Sequence, residues 1–306
     1  MSLVSIVKGR RGASGHGYAS SAEEVTEGLD LRGKRILITG VGSGLGQKSA
    51  TVLAMRGAKV FGAARSEQKA AEACRGFGSD AVPLACELSD PDSVRACVER
   101  VRAIGEPLDA VLCNAGIMAL PKRELRHGQE LQFFTNHIGH FLLVMGLVDQ
   151  LTPTGRVVML SSDAHNMAPK VGIQFDDLSF EKGYRPWTAY GQSKLANLLF
   201  ARSLARRFEG SSRTANSLHP GVIATNLGRH MNIVARVLFP VAAVVAMKSI
   251  PQGAATQCYV TTHPSLAGVN GEYFADCNVA RSSRHGRDAA MAERLWEVTE
   301  GIAARI

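Results

Sequence analysis

No apolar run in the 306-residue sequence reaches the roughly 18 to 20 residues that a bilayer-spanning helix needs. The longest candidate, Val237 to Met247, is short and carries Pro240. Leu3 to Val7 is too brief for the apolar core of a signal peptide, although Lys8, Arg10 and Arg11 precede any acidic residue and leave a transit-peptide reading open. Cysteine is sparse: the six, at positions 74, 86, 97, 113, 258 and 277, contain no Cys-x-x-Cys pair. Neither a zinc site nor a thioredoxin-like motif is therefore indicated, no metal is expected, and reduced core thiols of a cytoplasmic protein are the expectation. Linkers, internal repeats and low-complexity tracts are also lacking, which excludes a string of small modules.

What is present belongs to an ordinary globular chain, with 45% hydrophobic residues, 20% charged residues and a mean hydropathy of 0.00. Glycine is raised, at 31 residues, or about a tenth of the chain against a background of roughly 7%. Thirty-five Lys and Arg against 27 Asp and Glu give a formal charge of +8. Such a charge favours anionic partners: a phosphorylated cofactor, an acidic membrane surface or nucleic acid. The Arg-rich stretches Arg202 to Arg213 and Arg281 to Arg294 lie in helix-like or terminal sequence, so they read as solvated surface and no nucleic-acid partner is expected.

Short apolar runs alternate with helix-length amphipathic stretches. Arg35 to Thr39 reads as a buried strand, followed by a helix from about Gly44 to Arg56. Further strands are predicted at Lys59 to Ala63, Ala81 to Cys86, Ala110 to Cys113, Arg156 to Leu160 and Thr214 to Leu218, with helices including Asp90 to Ile104 and Leu131 to Leu151. Repeated βα units imply an α/β doubly wound parallel sheet of Rossmann type, with right-handed crossovers. The expected organisation is an N-terminal extension, 1–32, and one dinucleotide-binding domain, 33–306, with a late insertion.

The first strand runs into Thr39-Gly40-Val41-Gly42-Ser43-Gly44-Leu45-Gly46, a turn that opens a helix. Backbone N–H groups of Gly40, Ser43, Gly44, Leu45 and Gly46 can approach a pyrophosphate there, aided by the positive end of the helix. Tyr190 and Lys194, at i and i+4, share one helix face, so an ammonium is expected to lower the phenol's pKa toward the working range. Ser162 follows a strand at the sheet edge where α/β folds place ligands. His137 and His140 read as packing residues, because no third ligand accompanies them. After the second strand comes Ala64-Arg65 with no acid, which favours the extra phosphate of NADP over the ribose hydroxyls of NAD, with NAD the alternative.

The glycine turn, Asn114-Ala115-Gly116 and Tyr190-Gly191-Gln192-Ser193-Lys194, in that order, resemble the short-chain dehydrogenase/reductase family. The resemblance runs from about Leu31 onward. It implies catalytic roles for Asn136, Ser162, Tyr190 and Lys194, with Ser162 orienting the substrate oxygen and Asn136 holding a water of the proton relay. It also implies cofactor contacts from Glu87 and Leu88, from Asn114, Ala115 and Gly116, from Tyr190 and Lys194, and from Pro220, Gly221, Val222 and Thr225. The insert Asp163 to Ala189 and the segment Gly15 to Lys34 resemble the branch containing retinol dehydrogenases and the WW-domain oxidoreductase. The function implied is hydride transfer between NADP(H) and an alcohol or ketone. A low-turnover NADP(H)-sensing interaction protein is the rival reading. A bulky apolar substrate is expected from the insert and from Asn226 to Ile250, whose apolar run Val237 to Val245 could instead rest on a membrane surface. A homo-oligomer is the expected assembly.

Overall fold

A computed structural model describes residues 9–223 and 247–306. In chain order the strands are β1 (Arg35–Thr39), β2 (Lys59–Ala64), β3 (Val82–Ala85), β4 (Leu108–Cys113), β5 (Leu125–Arg126), β6 (Gln129–Glu130), β7 (Leu151–Leu160), β8 (Thr214–His219), β9 (Tyr273–Ala275) and β10 (Asn278–Val279). Eight of them form one sheet in the order β10-β9-β8-β7-β4-β1-β2-β3, with β5 and β6 a separate ribbon. Every pairing from β3 across to β9 is parallel, and only β10 runs antiparallel. The doubly wound architecture read from the alternating pattern is the one observed. Strand order reverses between β1 and β4, so the crevice beyond their carboxyl ends is the natural ligand site of this topology.

Both faces of the sheet are covered. The helices Gly44–Met55 and Ile250–Thr262 pack Leu53, Ala254 and Cys258 on one side. On the other, Pro91–Ile104, Gly139–Leu147 and Pro186–Arg207 contribute Val101, Val144 and Leu204. The helix Ala289–Ala303 then lies outside Pro186–Arg207, meeting it through Leu195, Leu199, Leu295 and Ile302, with Phe200 stacked on Trp296 at 5.6 Å. Pro186–Arg207 is thereby sandwiched between two apolar layers, which is why a helix bearing Lys194, Asn197 and Gln192 is buried almost all round. The polar groups on it must find partners inside the protein, and those partners make the site.

Leu131 to Gln150 is one continuous helical stretch with a five-residue π turn, Phe134–Ile138, inside it. Among the described residues it is long and apolar enough to cross a bilayer, but 72% of its apolar window is buried in the domain. Gly139 lets it pass close to the segment that follows β3, since a Cβ there would stand 2.3 Å from the carbonyl oxygen of Leu88.

Two features depart from the sequence expectation. β7 begins at Leu151, not Arg156, because the register shift opposite Leu108 and Ala110 accommodates Pro153 and Gly155. β9 and β10 were not anticipated, being only three and two residues long. Residues 9–32 run from the β10 edge of the sheet onto the helices Gly44–Met55 and Ile250–Thr262. Ala22 and Val25 enter the same apolar cluster as the helix Ile250–Thr262, and Asn278 binds Ser14 N and His16 O at 3.0 and 3.1 Å. The insert Asp163 to Ala189 forms two 3-10 turns and the start of the helix Pro186–Arg207. Thr225 and the apolar run Val237 to Val245 lie outside the described residues.

Candidate active site

The glycine turn is built by close approach. Gly40 and Gly44 hold φ of 77° and 62°, the left-handed region that favours glycine. A Cβ on Gly46 would stand 2.4 Å from both Gly40 O and Asn114 Nδ2, so no side chain fits there. Ser43 starts the helix Gly44–Met55 without capping it through its side chain, and the first turn carries no acid. The first-turn N–H groups are consequently left for an anion, and this cradle fits a dinucleotide pyrophosphate. Leu45 turns its side chain toward Gly253, so only its backbone can serve that purpose.

Thr39, which the motif reading passed over, stitches the ends of β1 and β4 together. Its Oγ1 accepts from Asn114 N and Ala115 N, both at 3.0 Å, while Asn114 Nδ2 donates to Thr39 O at 2.8 Å. With two N–H groups on that oxygen, the Thr39 hydroxyl donates to His140 Nε2 at 2.9 Å, leaving His140 Nδ1 to donate to Asn136 O at 2.8 Å. Burial pushes His140 down to about 4, in keeping with this neutral tautomer. Asn114 is further held by Gln257 Nε2 at 3.1 Å, itself bound by Ser49.

Asn136 sits fully buried in the π turn, a helix distortion frequent at functional sites. Its Oδ1 accepts from Ile117 N at 2.8 Å, and its Nδ2 donates to Ile117 O and Ser193 Oγ, both at 2.9 Å. The amide thus brackets the chain just after Gly116. A Cβ on Gly116 would meet Asn136 Oδ1 at 3.0 Å and Lys194 Nζ at 3.5 Å, so the end of β4, the π turn and Lys194 converge on one point.

Ser161 and Ser162 leave the end of β7 with different duties. Ser161 is buried and its Oγ donates to Lys194 O at 2.7 Å, fixing the helix against the strand. Ser162 caps the 3-10 turn Asp163–Met167, its Oγ accepting from Ala164 N at 3.2 Å, and lies near enough to the Tyr190 side chain to favour the phenol's ionised form. That turn can press on the helix because position 191 is glycine, where a Cβ would lie 2.6 Å from Ala164 O. Lys194 Nζ donates to Leu160 O at 3.0 Å and stands 5.7 Å from the centre of the Tyr190 ring.

The expectation that Lys194 lowers the Tyr190 pKa is corrected by this geometry. Burial pushes the phenol up to about 12, only partly opposed by Ser162, and pushes Lys194 down to about 8. Burial is the largest cause at each group, and the Lys194 ammonium donates to the Leu160 carbonyl.

The remaining expected cofactor residues are spread along the carboxyl edge. Arg65 is exposed directly after β2 and forms no ion pair among the described residues. The Glu87 carboxylate accepts from Ser89 N and Ser89 Oγ at 3.0 and 2.9 Å, whereas Leu88 is a core side chain that offers only its backbone. Pro220, Gly221 and Val222 follow β8, with Val222 exposed and Gly221 at φ 98°. Among the described residues, no group of three His, Cys, Asp or Glu could hold a metal ion.

Comparison with known proteins gives the same answer as the geometry. The family model for short chain dehydrogenase matches residues 34–175. The chain is 43% identical to the chloroplastic short-chain dehydrogenase TIC 32 B of Brassica napus, over 97% of each chain. It is 36% identical to human retinol dehydrogenase 14, covering 88% of this chain and 86% of that one. A solved structure of an uncharacterized protein from Mycobacterium paratuberculosis superposes with a TM-score of 0.73 at 32% identity, covering 92% of this chain and 97% of that one. The chain belongs to the short-chain dehydrogenase family, in a branch resembling retinol dehydrogenases, and is an NAD(P)-dependent oxidoreductase acting on CH–OH groups.

Proposed function

We propose that the protein transfers hydride between NADP(H) and a bulky apolar alcohol or ketone, with Tyr190 as the acid and base. The observation carrying this reading is continuity. Gly46, Gly40 and Asn114 are in contact at one end, Gly116, Asn136 and Lys194 converge in the middle, and Tyr190 meets Ser162 at the other. A dinucleotide laid along that path would have its pyrophosphate on the glycine turn and its reactive ring beside Tyr190.

The bound cofactor supplies the hydride chemistry. In the reducing direction the Tyr190 hydroxyl gives its proton to the substrate oxygen, which Ser162 orients, and becomes a phenolate; in the oxidising direction the Tyr190 phenolate takes the proton of the substrate hydroxyl. Lys194, buried beside the ring, supplies positive charge and binds the nicotinamide ribose. Asn136 completes the proton path and holds the loop at Ile117 that closes it. Arg65, exposed where an acid would serve NAD, supports NADP.

The apolar substrate is supported by the rim. Trp187 is exposed and stands edge-on to Tyr190 at 6.1 Å, and Met167 and Val222 are also large exposed apolar side chains on elements that follow the strand ends. The six cysteines are free and buried, which supports a reducing compartment; the chloroplastic names of the Brassica napus relatives lend no support to the cytoplasm in particular.

The test is a panel of aliphatic, aromatic and polycyclic alcohols and ketones, assayed with NADP(H) and NAD(H) by the absorbance of the reduced cofactor. Turnover should be highest with polycyclic compounds and NADP(H), and Tyr190→Phe should remove nearly all of it while NADPH binding stays within a few-fold. Best activity on small sugars or hydroxy acids, or undiminished turnover by the variant, would overturn the reading.

A further inference from the structure

Lys248 is one of the most deeply buried charged side chains in the protein, at 1% exposure. A lysine is rarely so enclosed unless its ammonium is matched. Here Nζ pairs with Asp276 Oδ1 at 2.5 Å and stands 4.9 Å from the centre of the Tyr18 ring. The three partners come from distant parts of the chain: the segment before the helix Ile250–Thr262, the turn between β9 and β10, and the N-terminal extension.

The stem of Lys248 has its own contact. It lies on Gly221, where a Cβ would meet Cδ at 2.6 Å and Cε at 3.0 Å, so glycine is required for the lysine to pass. Lys248 N donates to Val222 O at 2.8 Å, and Ile223 pairs with Lys248 in a parallel bridge. Side chain and backbone together grip the turn from Pro220 to Ile223 that leaves β8.

Asp276 is held in place at some cost. It and Cys277 occupy the two central positions of the hairpin turn with φ of 51° and 62°, a conformation that Asn-Gly would adopt with less strain. A carboxylate is kept where the ammonium needs one. The same hairpin carries Asn278, whose side chain binds Ser14 N and His16 O, four and two residues before Tyr18. Gln252 Nε2 donates to the carbonyl of the next residue, Ala19, at 3.3 Å.

We propose that Lys248 is a positioning residue for the nicotinamide end of the cofactor site, and that Tyr18 makes the N-terminal extension part of that site. The proposal rests on the function proposed above and on the family resemblance, which makes Pro220 to Val222 cofactor contacts; with the pyrophosphate on the glycine turn, this segment falls to the nicotinamide end. Paired to Asp276 and covered by Tyr18, Lys248 fixes the turn in the shape that receives the ring. Without the pair, or without its cover, the turn has to be ordered by the cofactor itself, and affinity falls by the cost of that ordering. The adenine end, on the glycine turn and Arg65, is independent of this clamp.

The experiment measures binding of NADPH by fluorescence and of adenosine 2′,5′-bisphosphate by calorimetry, with melting temperatures, for the wild type, Lys248→Met and Tyr18→Leu. NADPH should weaken about tenfold in Lys248→Met and about threefold in Tyr18→Leu, while the adenosine fragment binds both variants as it binds the wild type. Tyr18 is half-buried at the edge of the domain, so its variant keeps the test open should Lys248→Met fold poorly. Unchanged NADPH affinity in Tyr18→Leu and in folded Lys248→Met, or parallel loss of NADPH and fragment, would overturn the proposal. A wild type that binds neither compound would remove the cofactor reading on which it stands.

Discussion

Asn136 Nδ2 donates to Ser193 Oγ at 2.9 Å, and Ser193 Oγ in turn donates to the carbonyl of Tyr190 at 2.8 Å. The π turn on one helix thereby sets the register of the helix that carries Tyr190 and Lys194. Asn136→Ala would leave Ile117 N, Ile117 O and Ser193 Oγ without this partner in a largely closed interior. A stability loss on the order of 2–4 kcal/mol is expected from such unmatched groups, together with lower turnover. Chemical denaturation and steady-state rates check it, and a variant as stable as the wild type would show that water replaces the amide freely.

Lys194 ties stability to pH. Its folded pKa, near 8, is below the ordinary lysine value of 10.5, so between those values the unfolded chain holds more protons than the folded one. Stability contributed through this residue therefore rises with pH across that window and is flat below it. Lys194→Met should remove the rise. The difference in unfolding free energy between wild type and variant should change by about 2–3 kcal/mol between pH 8 and pH 10. Urea titrations at three pH values measure it, and a pH-independent difference would mean that Lys194 titrates at its ordinary value.

Much of the scaffold can be read from local sequence because its signals are local. Arg35 to Thr39 holds three large aliphatic residues in a row and leads into a glycine turn, and Asp90-Pro91 with Gly105 punctuates a helix at both ends. The cross-chain ties leave no such mark. His140 looks like a packing histidine, yet it meets Thr39, 101 residues earlier in the sequence, and ties it to Asn136. Lys248 looks like a flank of an apolar segment, and only the fold brings Asp276 and Tyr18 to it. The direction of the Tyr190 shift is hidden for a related reason: spacing of four residues gives proximity to Lys194, but the depth of burial that decides the sign is a property of the folded chain.

The glycine turn offers a contrast between two neighbouring positions. A Cβ at Gly46 would lie 2.4 Å from backbone and side-chain atoms, whereas one at Gly42 meets nothing within 4 Å. Gly46→Ala should thus cost roughly 1–3 kcal/mol through overpacking and impair NADPH binding as the end of β4 is displaced. Gly42→Ala should stay within about 0.5 kcal/mol of the wild type. Equal melting temperatures for the two variants would contradict the tight packing assigned to Asn114.

Trp187 provides the sharpest handle on substrate choice. It opens the helix that carries Tyr190, is 45% exposed, and meets the Tyr190 ring edge-on at 6.1 Å. A large apolar substrate whose oxygen lies between Ser162 and Tyr190 would rest its body against this indole, whereas a short polar alcohol would not reach it. An indole can cover on the order of 100 Å² of such a substrate, worth about 2 kcal/mol at the usual hydrophobic coefficient. Trp187→Ala should therefore lower kcat/KM for polycyclic alcohols by about ten- to thirtyfold and leave that for small alcohols within about twofold. Because the side chain is half in solvent, folding should be little affected, and a melting curve close to that of the wild type would separate the two causes. Uniform loss across the panel would place Trp187 in support of the Tyr190 ring itself, and an unchanged preference would move the apolar wall elsewhere on the rim.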